Sequence, residues 1–138
     1  MITLTPGDVT LAQLEQIWRG DDQIALHPDT RAPIELAAAF VAEAAAGGDA
    51  VYGVNTGFGK LANVPIAENQ TAILQRNLIL SHCCGVGEIL EPATTRMMMV
   101  LKLLSLGRGA SGVVWATVDL IIGMLNKGVL PQIPVQGS

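Results

Sequence analysis

The sequence predicts a mainly α-helical chain, with at most a short strand or two, and three observations carry that expectation. Half of the 138 residues are apolar but only 4% are aromatic, so Ala, Leu, Val and Ile do the packing, as in helices set against helices. Apolar residues recur at the helical period in five separate segments. Each segment is bounded by a capping residue, a proline or a glycine of the kind that starts or stops a helix.

Thr10-Leu-Ala-Gln13 matches a capping box, in which the threonine hydroxyl and the glutamine side chain each satisfy the other residue's backbone N–H. Leu11, Leu14, Ile17 and Trp18 follow at helical spacing, and Gly20 ends the segment. A second helix is expected from near Asp29–Pro33 through IELAAAFVAEAAA to Gly47-Gly48, stopped there by a left-handed glycine. A short extended piece at 50–52 and the glycine-rich GVNTGFGKLANVP come next. Gly53, Gly57 and Gly59 give that stretch too much backbone freedom for a helix. The third helix is expected from about Ala67 to Ser81, with Ile73, Leu74, Asn77, Leu78 and Ser81 on adjoining faces. Pro92 suits the first position of a fourth helix, ended by Gly107. A fifth runs from about Val114 to Asn126, with Gly128 just past its end. The closing LPQIPVQGS holds two prolines and reads as extended. Such an apolar tail is expected to lie against something further along, and the chain to stop before its protein does.

Composition excludes several classes of function. The net charge is −4 and no Lys/Arg cluster exists, which argues against binding a phosphate backbone. The two cysteines, Cys83 and Cys84, are adjacent, so there is no disulfide framework and no cysteine-type metal set. That usage suits a reducing compartment. MITLTPGDVT is not a secretory signal. The longest apolar runs are broken by Lys102 and Asp119 and fall short of the ~20 residues of a membrane span. A soluble, cytoplasmic chain is expected, without nucleic-acid or membrane partners. Its apolar excess predicts contacts with other subunits or domains, and self-association of residues 1–138 on their own.

Two stretches can carry chemistry. His27 and His82 are the only histidines and lie far apart, so no metal site is expected. Tyr52-Gly-Val-Asn-Thr-Gly-Phe-Gly59 holds the only tyrosine. A phenol on a glycine-rich lid serves as acid or base where its surroundings lower its ordinary pKa of about 10. It can equally be a packing ring on a mobile loop. Ser81-His82-Cys83-Cys84-Gly85-Val86-Gly87 places an imidazole near the end of the third helix, where it can also cap a free carbonyl. The cysteines can be small packing residues.

YGVNTGFGKLA, LQRNLILSHCCGVGE, LKLLSLGRGASGV and NKGVLPQIPVQGS stand in this order and spacing, and in them the chain resembles the aromatic amino acid ammonia-lyases over essentially all 138 residues. The histidine-specific members are most similar. The resemblance implies an N-terminal helical domain at 1–110, with an active-site loop at about 52–64, and at 111–138 the start of a long central helical bundle. It implies deamination of L-histidine to trans-urocanate and ammonia by a cytoplasmic homotetramer. Residues 1–138 alone would be inactive. The family's electrophile is a methylidene-imidazolone (MIO) made from an Ala-Ser-Gly, which is expected downstream of Ser138. Ala110-Ser111-Gly112 resembles a different family segment at a helix start, where Ser111 is expected to act as a cap. Tyr52 matches the family's catalytic base. His82, paired with Ser81, matches the position that meets the substrate's ring. Gly53, Asn55, Thr56 and Gly57 are expected to shape the loop. A phenylalanine or tyrosine ammonia-lyase, an aminomutase, and a non-catalytic helical assembly module remain alternatives at this point.

Overall fold

The computed structural model describes residues 1–47 and 49–137, and at Glu68 the backbone alone. Its α-helices are α1 (Leu11–Arg19), α2 (Arg31–Ala46), α3 (Glu68–His82), α4 (Pro92–Leu106) and α5 (Trp115–Asn126). Four three- or four-residue strands join them: β1 (Ile2–Leu4), β2 (Ile24–Leu26), β3 (Val86–Ile89) and β4 (Pro134–Gln136).

The capping box at the start of α1 forms as expected. Gln13 N–H donates to Thr10 Oγ1 at 3.2 Å, and Thr10 N–H donates to Gln13 Oε1 at 2.9 Å. Before α2 a 3-10 turn over Pro28–Thr30 intervenes, with Asp29 N–H bonded to His27 Nδ1 at 3.3 Å. The far end of α2 departs from expectation. Gly47 is extended, at φ −72° and ψ 163°, and its N–H closes on the carbonyls of Glu43 and Ala44. Gly48 lies outside the described residues. The left-handed glycine instead ends α5, where Gly128 has φ +66° and donates to Leu125 O at 3.2 Å.

The strands also differ from the reading, being four rather than one or two and lying away from the glycine loop. Residues 50–52 form no strand. β1 pairs parallel to β2, with Ile2 opposite Ile24 and Leu4 opposite Leu26. β3 pairs antiparallel to β4, with Val86 opposite Gln136. The apolar tail expected to lie on something further along thus lies on β3 of this chain.

Leu4, Ile17, Ile24, Ile34, Val100, Leu103, Val118 and Leu125 form the core, where α1, α4, α5 and β2 meet. The end of α5 is tied to β2 by polar groups. Asn126 Oδ1 accepts from Ile24 N–H at 2.7 Å, and its Nδ2 donates to Ile24 O at 2.9 Å. Arg96 is buried on α4 and donates to the carbonyls of Leu125 and Asp22.

The Ala110-Ser111-Gly112 segment joins α4 to α5, but Ser111 does not cap a helix. The N-cap of α5 is Val114, which makes no side-chain cap. Gly112–Val114 are non-helical, which leaves the Ser111 hydroxyl too far ahead of the helix. The glycines serve close packing on α2. Gly109 and Gly112 have φ of +68° and +67°, and a Cβ on them would lie 2.6 Å from Pro33 Cβ and 2.4 Å from Val41 Cγ2. By contrast, α3 buries none of its described side chains. Among the described residues no helix is long and apolar enough to cross a membrane.

Candidate active site

The glycine-rich stretch is a closed loop rather than a slack one. It leaves and returns through a pairing of Thr56 with Pro65, Gly57 N–H to Val64 O at 3.1 Å, and Ile66 N–H to Asn55 O at 2.9 Å. At its root Val54 and Asn55 N–H both donate to Val51 O, at 3.0 and 3.2 Å. Gly53 takes φ +76° in that turn, a conformation that side chains with a Cβ resist. Gly57 approaches Leu61 so closely that a Cβ would sit 2.5 Å from Leu61 Cβ. Thr56 is buried, and its hydroxyl donates to Gly57 O at 3.0 Å. Asn55 is also buried, with Oδ1 accepting from Val51 N–H at 2.7 Å and Nδ2 donating to Asp49 O at 2.8 Å. The four residues expected to shape the loop therefore stand together in it, each with a definite contact or dihedral.

Tyr52 stands on the turn and is 64% exposed. Its ring meets Phe58 edge-on, with centroids 6.1 Å apart and planes at 73°. Phe58 was not singled out from the sequence, although an aromatic six residues along the same loop is a legible signal. The ring thus packs on its own loop and not on the body of the domain.

His82 is the last residue of α3. Its Nδ1 lies 2.8 Å from Leu78 O and 3.1 Å from Ser81 Oγ, and that hydroxyl donates to Leu78 O at 3.0 Å. A carbonyl only accepts, so Nδ1 is the donor in its contact with Leu78 O. Cys83 then turns the chain at φ −73° and ψ 74°, with Cys84 N–H donating to His82 O at 2.8 Å. Both thiols are exposed rather than packed inside. Beyond them β3 begins, and Gly137 packs directly on the Cys84 carbonyl.

Tyr52 and His82 stand on separate elements. A shallow groove of about 300 Å³ lies between the loop's end and α3, lined by Ile66, Gln70, Ile73, Leu74 and Asn77. Among the described residues no group of three or more His, Cys, Asp or Glu is placed to hold a metal ion.

The family model for aromatic amino acid lyase matches residues 9–138. The chain belongs to the aromatic amino acid lyase family. It is similar to the histidine ammonia-lyase of Roseobacter denitrificans, at 66% identity over 137 residues, which is 99% of this chain and 27% of that relative. Among solved structures, the histidine ammonia-lyase of Trypanosoma cruzi superposes with a TM-score of 0.85 at 33% identity, over 99% of this chain and 27% of that one. The ergothionase of Treponema denticola superposes at 0.90 with 26% identity, over 99% of this chain and 28% of that one. The phenylalanine aminomutase of Pantoea agglomerans does so at 0.90 with 26% identity, over 100% and 27%. The backbone of this lyase chain is thus shared by relatives of several activities.

Proposed function

We propose that the chain is the N-terminal portion of an enzyme that converts L-histidine to trans-urocanate and ammonia, the first step of histidine degradation. The observation that carries this reading is the 66% identity to a histidine ammonia-lyase across 99% of the chain. In that reading residues 1–110 form a helical domain with the active-site loop, and 111–138 open the central helical domain. The full-length enzyme is a cytoplasmic homotetramer.

The β-proton of histidine is barely acidic and its ammonium is a poor leaving group. An MIO group, formed from an Ala-Ser-Gly downstream of Ser138, would supply the electrophile that offsets both difficulties. This chain's residues fit such a neighbour. β4 lies on β3, and the Gly137 backbone packs on Cys84, two residues beyond His82. Tyr52, acting as its phenolate, takes the β-proton on oxygen, with the ring steadied by Phe58. His82, turned by its Nδ1 contact with Leu78 O, meets the substrate imidazole with its ring. Ser81 braces the same carbonyl.

The test is substrate preference in the full-length enzyme. His82→Leu leaves a buried nitrogen of the substrate ring without a partner, at a cost of roughly 1–3 kcal/mol. The ratio of kcat/KM for histidine over phenylalanine then falls about 5- to 150-fold. Equal losses for both substrates refute the assigned contact. A native preference for phenylalanine or tyrosine refutes the substrate.

A further inference from the structure

We infer that Asn55 is a positioning residue for Tyr52, an inference that rests on the reading of Tyr52 as the base. Asn55 is 9% exposed, and its whole side chain is spent on main-chain groups. Oδ1 accepts from Val51 N–H at 2.7 Å. Nδ2 donates to Asp49 O at 2.8 Å and, more loosely, to Ala44 O at 3.5 Å in the last turn of α2. Its own N–H donates to Val51 O at 3.2 Å, and its carbonyl accepts from Ile66 N–H at 2.9 Å.

Asn55 therefore joins the end of α2, the approach to the loop, the turn and the loop's return. Val51, the residue just before Tyr52, has both of its main-chain polar groups held by Asn55. Tyr52 adds only an edge-on ring contact with Phe58, and Gly53 on its other side brings no side chain. The direction of the tyrosine is thus set through Val51, and through Val51 by Asn55.

The chemistry asks for an amide in particular. The position needs one acceptor facing an N–H and two donor protons facing carbonyls, in an uncharged group short enough to fit the turn. Aspartate keeps the acceptor but turns a second oxygen on two carbonyls in a buried site. Serine keeps one donor at most and does not reach both sides.

The experiment is a double-mutant cycle in the full-length enzyme, with kcat and KM for histidine measured for native, Asn55→Asp, Tyr52→Phe and the double variant. Asn55→Asp is expected to lower kcat about 10- to 100-fold, with a smaller change in KM, because displacements of about 1 Å cost that much. In the Tyr52→Phe background the same substitution is expected to change kcat by less than about twofold, the coupling of two residues that act as one unit. Independent, multiplying losses would overturn the inference and make Asn55 a general support of the fold. A native kcat in Tyr52→Phe would instead overturn the base assignment beneath it. Should Asn55→Asp fail to fold, Asn55→Ser carries the same cycle, with the same two outcomes.

Discussion

Replacing Arg96 with methionine probes a buried cation that forms no ion pair among the described residues. The guanidinium is 8% exposed, donates from Nη1 to Leu125 O at 3.1 Å and from Nη2 to Asp22 O, and leaves Nε without a hydrogen bond. Two hydrogen bonds from a charged donor contribute about 1.5–3 kcal/mol each, so their loss removes about 3–6 kcal/mol. The Leu125 carbonyl ends α5, where a positive charge also meets the helix dipole, but that gain overlaps the hydrogen bond and is not added. Against this, methionine keeps the apolar stem and ends the burial of an unsatisfied Nε, which returns about 1–3 kcal/mol. At the centre of those ranges the balance is a loss of about 2.5 kcal/mol. At a urea m-value of about 2 kcal/mol/M the unfolding midpoint falls by about 1–1.5 M. Trp18 and Trp115 fluorescence, at low protein concentration, reads the transition. Arg96→Lys is expected to fall between, since one ammonium does not span both carbonyls. An unchanged or higher midpoint for Arg96→Met would refute the reasoning, because burying the cation would then cost as much as its bonds contribute.

Two further outcomes follow from particular contacts. Gly112→Ala combines a left-handed backbone at φ +67° with a Cβ 2.4 Å from Val41 Cγ2, and is expected to destabilise by about 2–4 kcal/mol; a thermal midpoint within a degree of native would contradict the close approach to α2. In the full-length enzyme, Tyr52→Phe keeps the ring contact with Phe58 and is expected to lower kcat by about 10²–10⁴-fold. A normal rate would leave Tyr52 as a packing residue of the loop.

Helices were legible because their signals are local. The capping box at Thr10, Pro92 at the start of α4 and Gly128 past the end of α5 all act within one turn of chain. The strands were not, because three residues are too few to show alternation and their partners lie far away, as with Ile2 and Ile24 or Val86 and Gln136. Arg96 was passed over for the same reason. In TTRMMMVLK an arginine reads as part of a solvated face, and only the ends of two distant segments, at Asp22 and Leu125, draw it inside. The glycine loop is legible as a break between helices, but the bonds that close it are not. Its glycines answer to one positive φ at Gly53 and one close approach at Gly57, neither of which composition reveals. The roles of Tyr52 and His82 came from resemblance, since the residues alone leave a packing ring and a helix cap as equally open readings.

The two candidate groups are held in different ways. The Tyr52 loop is fixed from inside, by Asn55 and by main-chain bonds between 51 and 66. His82 has no such internal frame. α3 buries none of its described side chains, and a helix of 15 residues gains little stability from its own hydrogen bonds. Within this chain its C-terminal end is the better anchored one. Ser81 and His82 brace the Leu78 carbonyl, Cys83 turns the chain, and β3 is clipped to β4 with Gly137 seated on Cys84. His82 is therefore held by its own helix through Leu78 O, and it stands two residues before the point where the segment at 134–137 packs on the chain.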